Sequence, residues 1–185
     1  MLSIIVPVRN ESENLKDVFD YYTKNVKDFK YEVLIVNDFS KDDTLNVARE
    51  LEQKYKNFKI LDNKKKGLGG AINLGIDKAE GDYIAIMMAD QSDDINDLKK
   101  YFQMISSENL DAVLGSRFLN NSKVENYPIR KLILNRIFNL IVSFIFWNKY
   151  NDYINAFKIY KKKALVEILP LISESFNIFL EIPLK

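Results

Sequence analysis

Gly81-Asp82-Tyr83-Ile84-Ala85-Ile86-Met87-Met88-Ala89-Asp90-Gln91-Ser92-Asp93-Asp94 joins an almost purely apolar run, residues 83–88, to an acidic cluster. A continuous apolar run of this length suits a strand buried on both faces of a parallel sheet. Leu2–Val8, residues 33–36 and Ala112–Leu114 repeat the pattern. Amphipathic helices are expected between them, over residues 11–26, 43–55, 70–79 and 95–106. Asn10 with Glu13, and Ser40 with Asp43, carry the spacing of a capping box at the first two helix starts. The alternation predicts an α/β fold: a doubly wound, mostly parallel sheet flanked by helices. Ligands in such sheets bind beyond the carboxyl ends of the strands. Residues 7–11, 37–40, 90–94 and 115–117 are therefore where chemistry is expected.

A chain of 185 residues, 47% hydrophobic and 29% charged, fits one domain with a substantial core. Its net charge of +1 removes the basic field that nucleic-acid binding needs, so no nucleic-acid partner is expected. There is neither Cys nor His. That excludes thiol nucleophiles, Ser-His triads, histidine relays and zinc sites of the usual ligand types. Catalysis must run on carboxylates, Lys, Arg, Tyr, backbone amides or a hard cation held by oxygens. The amino-terminal Met1-Leu2-Ser3-Ile4-Ile5-Val6-Pro7 lacks a basic start and a cleavage site, and reads as a buried strand and not a signal peptide.

Each candidate motif has a structural as well as a functional reading. After the first strand, Pro7 can end the strand and Asn10 can cap a helix, or residues 7–11 can wall a nucleotide pocket with Glu11 as acceptor. In Val36-Asn37-Asp38-Phe39-Ser40, Ser40 suffices as a cap, which leaves Asp38 free to accept from ribose hydroxyls or base N–H groups. Gly67-Leu68-Gly69-Gly70-Ala71-Ile72 misses the dinucleotide fingerprint, because Ile72 stands where the third glycine belongs and the turn follows the third strand. Its glycines allow a tight entry to a helix whose N-terminus can face an anion. Either Asp93 or Asp94 caps the helix that begins at Ile95, whereas Asp90 at the strand tip is not needed for capping. A diphosphate leaving group calls for Mg²⁺ or Mn²⁺, which take oxygen ligands.

Beyond Ser116 the rhythm breaks. Residues 119–127 read as a polar loop, followed by a helix over 129–147 that is apolar on most sides but interrupted by Asn135, Arg136 and Asn139. It is too short in its apolar stretches to span a bilayer. Such a helix must be buried, meet a partner such as a second copy of the chain, or lie at a membrane surface.

In their order, VPVRNE, VNDFSKDDT, GLGGAINLG, GDYIAIMMADQSDD and GSRF resemble the motifs of family-2 glycosyltransferases. The similarity is greatest to the branch of dolichyl-phosphate mannose synthases and polyprenyl-phosphate glycosyltransferases, and it runs over nearly the whole chain. The resemblance implies the GT-A fold and an inverting transfer of a hexose from a GDP- or UDP-sugar to a polyprenyl phosphate. Residues 1–117 would form the nucleotide-sugar half of a single domain and residues 118–185 the acceptor half. Relatives usually continue with another strand and helix, so the resemblance implies a shortened form. By position, Pro7, Arg9, Glu11, Val36, Asp38 and Met88 would line the nucleotide. Asp90 would be the second carboxylate of the metal-binding Asp-x-Asp, with help from Ser92, for Mg²⁺ or Mn²⁺. Met88 stands where the first carboxylate belongs. Arg117 would face the transferred sugar and the acceptor phosphate, and Arg130, Asn135 and Arg136 would seat a lipid phosphate, a task suited to guanidinium forks. Residues 151–158 resemble Asp-x-x-x-Gly-Phe-Arg, with Ala156 and Lys158 replacing Gly and Arg; this adds Asp152 to the catalytic set and Lys158 to the phosphate set. A phosphate acceptor needs no general base; a hydroxyl acceptor would, with Asp152 or Glu181 as candidates. The expected setting is cytoplasmic, peripheral on the cytoplasmic face of a membrane. The rival reading is a catalytically weak nucleotide-binding or scaffolding protein, supported by Met88 and the early stop. A nucleotidyltransferase, which shares the sheet, would need a basic glycine-rich loop after the first strand.

Overall fold

The computed structural model describes residues 1–90, 92–119, 122 and 127–185. Strands β1 (Leu2–Val8), β2 (Tyr31–Asn37), β3 (Phe58–Asp62), β4 (Tyr83–Ile86), β5 (Ala112–Leu114) and β6 (Lys158–Lys161) form one six-stranded sheet in the order β3-β2-β1-β4-β6-β5. β1, β2, β3 and β4 pair in parallel, and β6 runs antiparallel to both β4 and β5. The expected mostly parallel, doubly wound sheet is thus what forms. Every residue of β1 is buried, as the continuous apolar run required.

Strand alternation sends side chains to two separate cores. Leu2, Ile4, Val6 and Val8 pack with α1 (Ser12–Asn25), α2 (Thr44–Lys54) and α4 (Ile95–Ser107), where Phe19 meets Phe58 edge-on at 4.7 Å. Ile5, Leu34, Ile84 and Ile86 face α3 (Leu68–Lys78), α6 (Lys162–Glu167) and α7 (Ile178–Leu184). A side chain at Gly75 would bring its Cβ to 2.6 Å from Ile5 Cγ2, so that glycine lets α3 lie close on β1. At the amino edge, Ser3 Oγ donates to Glu32 at 2.6 Å and accepts from Gly81 N–H at 2.8 Å, tying β1, β2 and the entry to β4 together.

The boundaries of the expected elements shift by a residue or two, and both expected capping boxes give way to another device. Glu11 and Asp43 occupy the N-cap positions of α1 and α2, and neither side chain caps. Asn10 sits at φ 56, a region Asn tolerates, which turns its side chain away from α1. Its Oδ1 accepts from Lys41 N–H at 2.7 Å, and its own N–H donates to Ser40 Oγ at 3.0 Å. Asp42 accepts from the N–H groups of Thr44 and Ser12 and from the Thr44 hydroxyl, which holds its carboxyl well below the usual range. The residues expected to cap two helices instead lock the two loops to each other. At α4 the expectation is met: Asp94 Oδ1 accepts from Asn96 N–H at 2.8 Å.

Helix α5 (Ile129–Ile145) joins neither core. Only Asn139 and Val142 of it are buried, while Phe144 is 79% and the following Trp147 91% exposed. Among the described residues, no helix is long and apolar enough to cross a membrane. The expected loop at residues 119–127 falls largely outside the described residues.

Candidate active site

The carboxyl edge of β1, β2 and β4 carries a cleft of about 320 Å³. Pro7, Val8, Arg9 and Glu11 line it from the β1 end, Asp38 from β2, Met88 from β4, and Gly67 with Leu68 from the start of α3. Residues 174–176, far away in sequence, supply another wall. This is the switch point of the sheet, where β1 connects outward to β2 on one side and neighbours β4 on the other.

Asp38 is the buried carboxylate here, 5% exposed. Its Oδ1 accepts from Asn63 Nδ2 and from Gly67 N–H, each at 2.8 Å. Its Oδ2 lies 3.8 Å from Arg9 Nη1, which leaves that oxygen with lone pairs for a ligand. Glu11 keeps one oxygen on Asn14 Nδ2 at 2.8 Å. Val36, expected to touch the nucleotide, is fully buried among residues of the α3-side core. The strand extends one residue further, to Asn37, so the edge of the sheet comes after Val36 and its side chain points into packing. The α3 N-terminus is also committed: Gly67 N–H goes to Asp38 and Gly69 N–H to the Glu174 carbonyl at 3.1 Å. The glycine turn therefore serves packing and Asp38, and those two amides are not free for an anion.

Asp90 is exposed on a turn beyond β4, with Oδ1 accepting from Ser92 N–H at 3.1 Å. Met88 lines the cleft, and its N–H lies 3.4 Å from Asp93 Oδ2. Burial pushes the Asp93 carboxyl up to about 7, opposed by the Met88 N–H, raised further by the Asp90 charge and opposed by Arg117. No group of three or more acidic side chains converges among the described residues. The donors present, one exposed carboxylate and a hydroxyl, fit a divalent ion only of the kind that keeps several waters and takes its remaining ligands from substrate phosphates.

Arg117 lines a second cavity. Its Nε and Nη2 grip Asp152 at 2.8 and 2.7 Å, and its N–H donates to the same carboxylate at 2.9 Å. Asp152 has no exposed surface, whereas Arg117 is 27% exposed. With both oxygens taken by Arg117, Asp152 orients the guanidinium and is not free as a general base. Glu181 is also engaged, by Ile172 N–H at 2.8 Å, Ser173 N–H at 2.7 Å and Lys185. Burial would raise its carboxyl, yet these donors bring it down to about 2.

The second cavity, about 530 Å³, is walled by Arg117, Arg136 and Ser122, with Phe118, Leu119, Leu132, Ile133 and Ile137 as its apolar part. Arg136 stacks over Phe118 at 5.0 Å, and Arg117 over Phe118 and Tyr127 at 5.5 and 5.6 Å. Asn135 donates to the Tyr127 hydroxyl, and Asn139 pins α5 down by accepting from Tyr153 N–H at 2.7 Å. Of the expected phosphate ligands, the fold brings Arg136 to Arg117 and places Asn135 beside them. Arg130 lies exposed on the first turn of α5, outside the cavity lining. Lys158 is excluded by burial: it has no exposed surface, and its Nζ donates to the carbonyls of Tyr153 and Phe179 at 2.6 and 2.7 Å. Lys158 is an internal tie in this chain. Burial brings the Lys158 ammonium down to about 7, with Asp152 opposing and Arg117 adding.

Sequence reasoning missed Asn63, Phe118 and Tyr127. Asn63 was hidden as the residue before a lysine run, and the aromatics matter only because the fold lays guanidinium groups over them.

The sequence matches the glycosyl transferase family 2 profile over residues 3–169. It is 33% identical over 190 residues to a dolichol-phosphate mannosyltransferase of Pyrococcus furiosus, covering 100% of this chain and 52% of that one. It is 32% identical over 153 residues to a dolichyl-phosphate β-glucosyltransferase of Trichomonas vaginalis, covering 76% of this chain and 47% of that one. The chain thus spans about half the length of the curated relatives it matches. Glucosyl-3-phosphoglycerate synthase of Mycobacterium tuberculosis, solved with Mn²⁺, UDP-glucose and phosphoglyceric acid, superposes with a TM-score of 0.72 at 12% identity, over 99% of this chain and 63% of that one. That likeness carries the fold, which is GT-A, and the match over residues 3–169 carries the family: the chain belongs to glycosyl transferase family 2.

Proposed function

We propose that this domain transfers a hexose from a nucleoside-diphosphate sugar to a polyprenyl phosphate, with inversion at the anomeric carbon. The observation that carries the reading is Arg117. It is a buried-carboxylate-locked guanidinium that lines the acceptor cavity beside Arg136, and its charge acts on Asp93, whose Oδ2 meets the N–H of the cleft residue Met88. Asp38 Oδ2, Arg9 and Glu11 hold the nucleoside. Asp90 and Ser92 would hold Mg²⁺ or Mn²⁺ together with the donor diphosphate, and the ion when bound neutralises charge on the leaving group. Arg117 and Arg136 grip the acceptor phosphate, whose oxygen attacks the anomeric carbon from the face opposite the leaving diphosphate. Aiming fixed cations at the place where charge develops lowers the barrier without reorganisation.

An anionic acceptor is favoured because neither Asp152 nor Glu181 has an oxygen free to take a hydroxyl proton. The apolar walls from Ile133 and Ile137 continue onto the exposed face of α5, where a lipid chain can run, which supports a peripheral position on a membrane. A second copy of the chain is the competing occupant of that face. The scaffold reading keeps one observation in its favour, Met88 in place of a carboxylate.

Donor turnover separates these readings. Vesicles carrying polyprenyl phosphate, a panel of UDP- and GDP-sugars, and Mn²⁺ or chelator are mixed with wild type and with Asp90→Asn. Metal-dependent transfer, lost in Asp90→Asn and giving an inverted linkage by NMR, is expected. Nucleotide binding with no turnover on any donor would replace the enzyme reading by the scaffold.

A further inference from the structure

Residues 171–176 run as a strap over the glycine turn at the start of α3, which is shaped to receive it, and residues 174–176 form one wall of the donor cleft. The Ser173 carbonyl oxygen would lie 1.8 Å from a Cβ at Gly69, and the Glu174 carbonyl oxygen 2.5 Å from one at Gly67. No side chain fits at either position, and Gly67 adopts φ 116, which L side chains rarely do. The same Glu174 carbonyl accepts from Gly69 N–H at 3.1 Å, and the Leu171 carbonyl accepts from Asn73 Nδ2 at 3.1 Å. From the other side, both oxygens of Glu181 on α7 hold the strap by its Ile172 and Ser173 N–H groups. The Glu181 side chain is only 10% exposed, so the carboxylate end of this clamp is largely buried, although Ile172 on the strap side is exposed. What the clamp presents to the cleft is Ser175 and Phe176. Phe176 is 67% exposed although its neighbour Phe179, with its ring centroid 6.2 Å away, is buried. A phenyl ring held open to water beside a nucleotide-sized cleft has unmet apolar surface on the ligand side.

We propose that the strap is a wall of the donor site: Phe176 stacks on the flat base of the donor nucleotide, and Glu181 is the positioning residue that holds the strap on the glycine turn. The proposal rests on the cleft being the nucleotide site. It gives the glycines and Glu181 roles that neither phosphate binding nor proton transfer explains. It also makes base recognition depend on residues about 140 positions away from Asp38 in sequence. An aromatic face contributes to any base, so the strap sets affinity for the nucleoside and leaves the choice of base to polar groups.

Calorimetry with UDP, GDP and inorganic pyrophosphate, each with Mn²⁺, tests this on wild type, Phe176→Ala, Phe176→Tyr and Glu181→Gln, with melting temperatures alongside. Phe176→Ala is expected to weaken both nucleotides roughly tenfold, in the range of one lost base–aromatic stack, and to leave pyrophosphate unchanged. Phe176→Tyr should restore the affinity. Glu181→Gln should raise the donor KM and leave kcat at saturating donor as it was. Equal weakening of nucleotide and pyrophosphate would overturn the stacking role, because it would mean that the whole cleft had been disturbed. If Phe176→Ala and Glu181→Gln bind nucleotide as wild type does while Arg9→Ala binds it weakly, the strap is refuted and the donor site stands. If wild type itself binds neither nucleotide, both readings fall together.

Discussion

Replacing Asp152 by Asn keeps the shape of the side chain and removes its charge, at the point where the fold aims Arg117. The carboxylate accepts three hydrogen bonds from Arg117, two of them from the guanidinium at 2.8 and 2.7 Å. An amide has one acceptor oxygen, so its NH₂ must face a guanidinium N–H, and at least one charged bond is lost. A hydrogen bond to a charged group contributes about 1.5–3 kcal/mol. Removing one member of a fully buried pair costs about 3–5 kcal/mol, but Arg117 is 27% exposed and can turn partly to water. The expected destabilisation is therefore about 2–3 kcal/mol, or roughly 4–12 °C in Tm for a domain of this size. Urea unfolding measures the stability term, and initial rates against acceptor phosphate at saturating donor measure the functional one. The acceptor KM should rise about tenfold or more as the guanidinium loses its orientation, while the Kd of the donor nucleotide stays within a factor of two or so. A general base at this position would behave differently: kcat would collapse with stability and acceptor KM intact. That outcome, or an unchanged Tm, would refute the positioning role.

Three further substitutions test neighbouring parts of the structure. Lys158→Met leaves the carbonyls of Tyr153 and Phe179 without a donor, at a cost of about 1–3 kcal/mol. The Lys158 ammonium falls to about 7 in the fold and stands near 10.4 in the unfolded chain, so between those values the unfolded chain binds the extra proton and wild-type stability rises with pH. The gap between wild type and Lys158→Met should widen from pH 7 to 9 by at most about 1.4 kcal/mol per unit; a gap that stays constant with pH would refute the lowered titration of Lys158 in the fold. Gly75→Ala sets a gain of about 1 kcal/mol in helix propensity against overpacking of about 1–3 kcal/mol on fully buried Ile5, so a small net loss of stability with unchanged nucleotide affinity is expected by denaturation and calorimetry. Met88→Asp, which adds a carboxylate to the cleft wall near Asp90, should tighten Mn²⁺ in the presence of UDP or GDP by about ten- to a hundredfold in titration calorimetry, and no change would place the metal elsewhere.

Much of the fold was legible because strand burial leaves a local trace. The apolar runs at Leu2–Val8 and residues 83–88 mark β1 and β4, and the helices between them follow from amphipathic periodicity over many residues. β6 left no such trace: four residues, Lys158-Ile159-Tyr160-Lys161, are too few to show a period, and only pairing with β4 and β5 makes them a strand. The caps failed for a related reason. Asn10 and Ser40 have the right chemistry to cap, but each finds a better partner in the other's loop, a contact that depends on β1 and β2 lying side by side.

The amino-acid sequence by itself determined which residues are chemically able to act: with no Cys or His, the work falls to carboxylates and cations, and the order of motifs points to a sugar transferase. It also placed those residues at the right edge of the sheet, since that follows from where the strands end. Tertiary structure decided which of them are available. Val36 and Lys158 are consumed by burial, Asp152 and Glu181 by hydrogen-bond donors, and the glycine turn by a strap from the far end of the chain. Availability depends on what lies within 3 Å or so of an atom, and those neighbours come from segments that local sequence does not bring together.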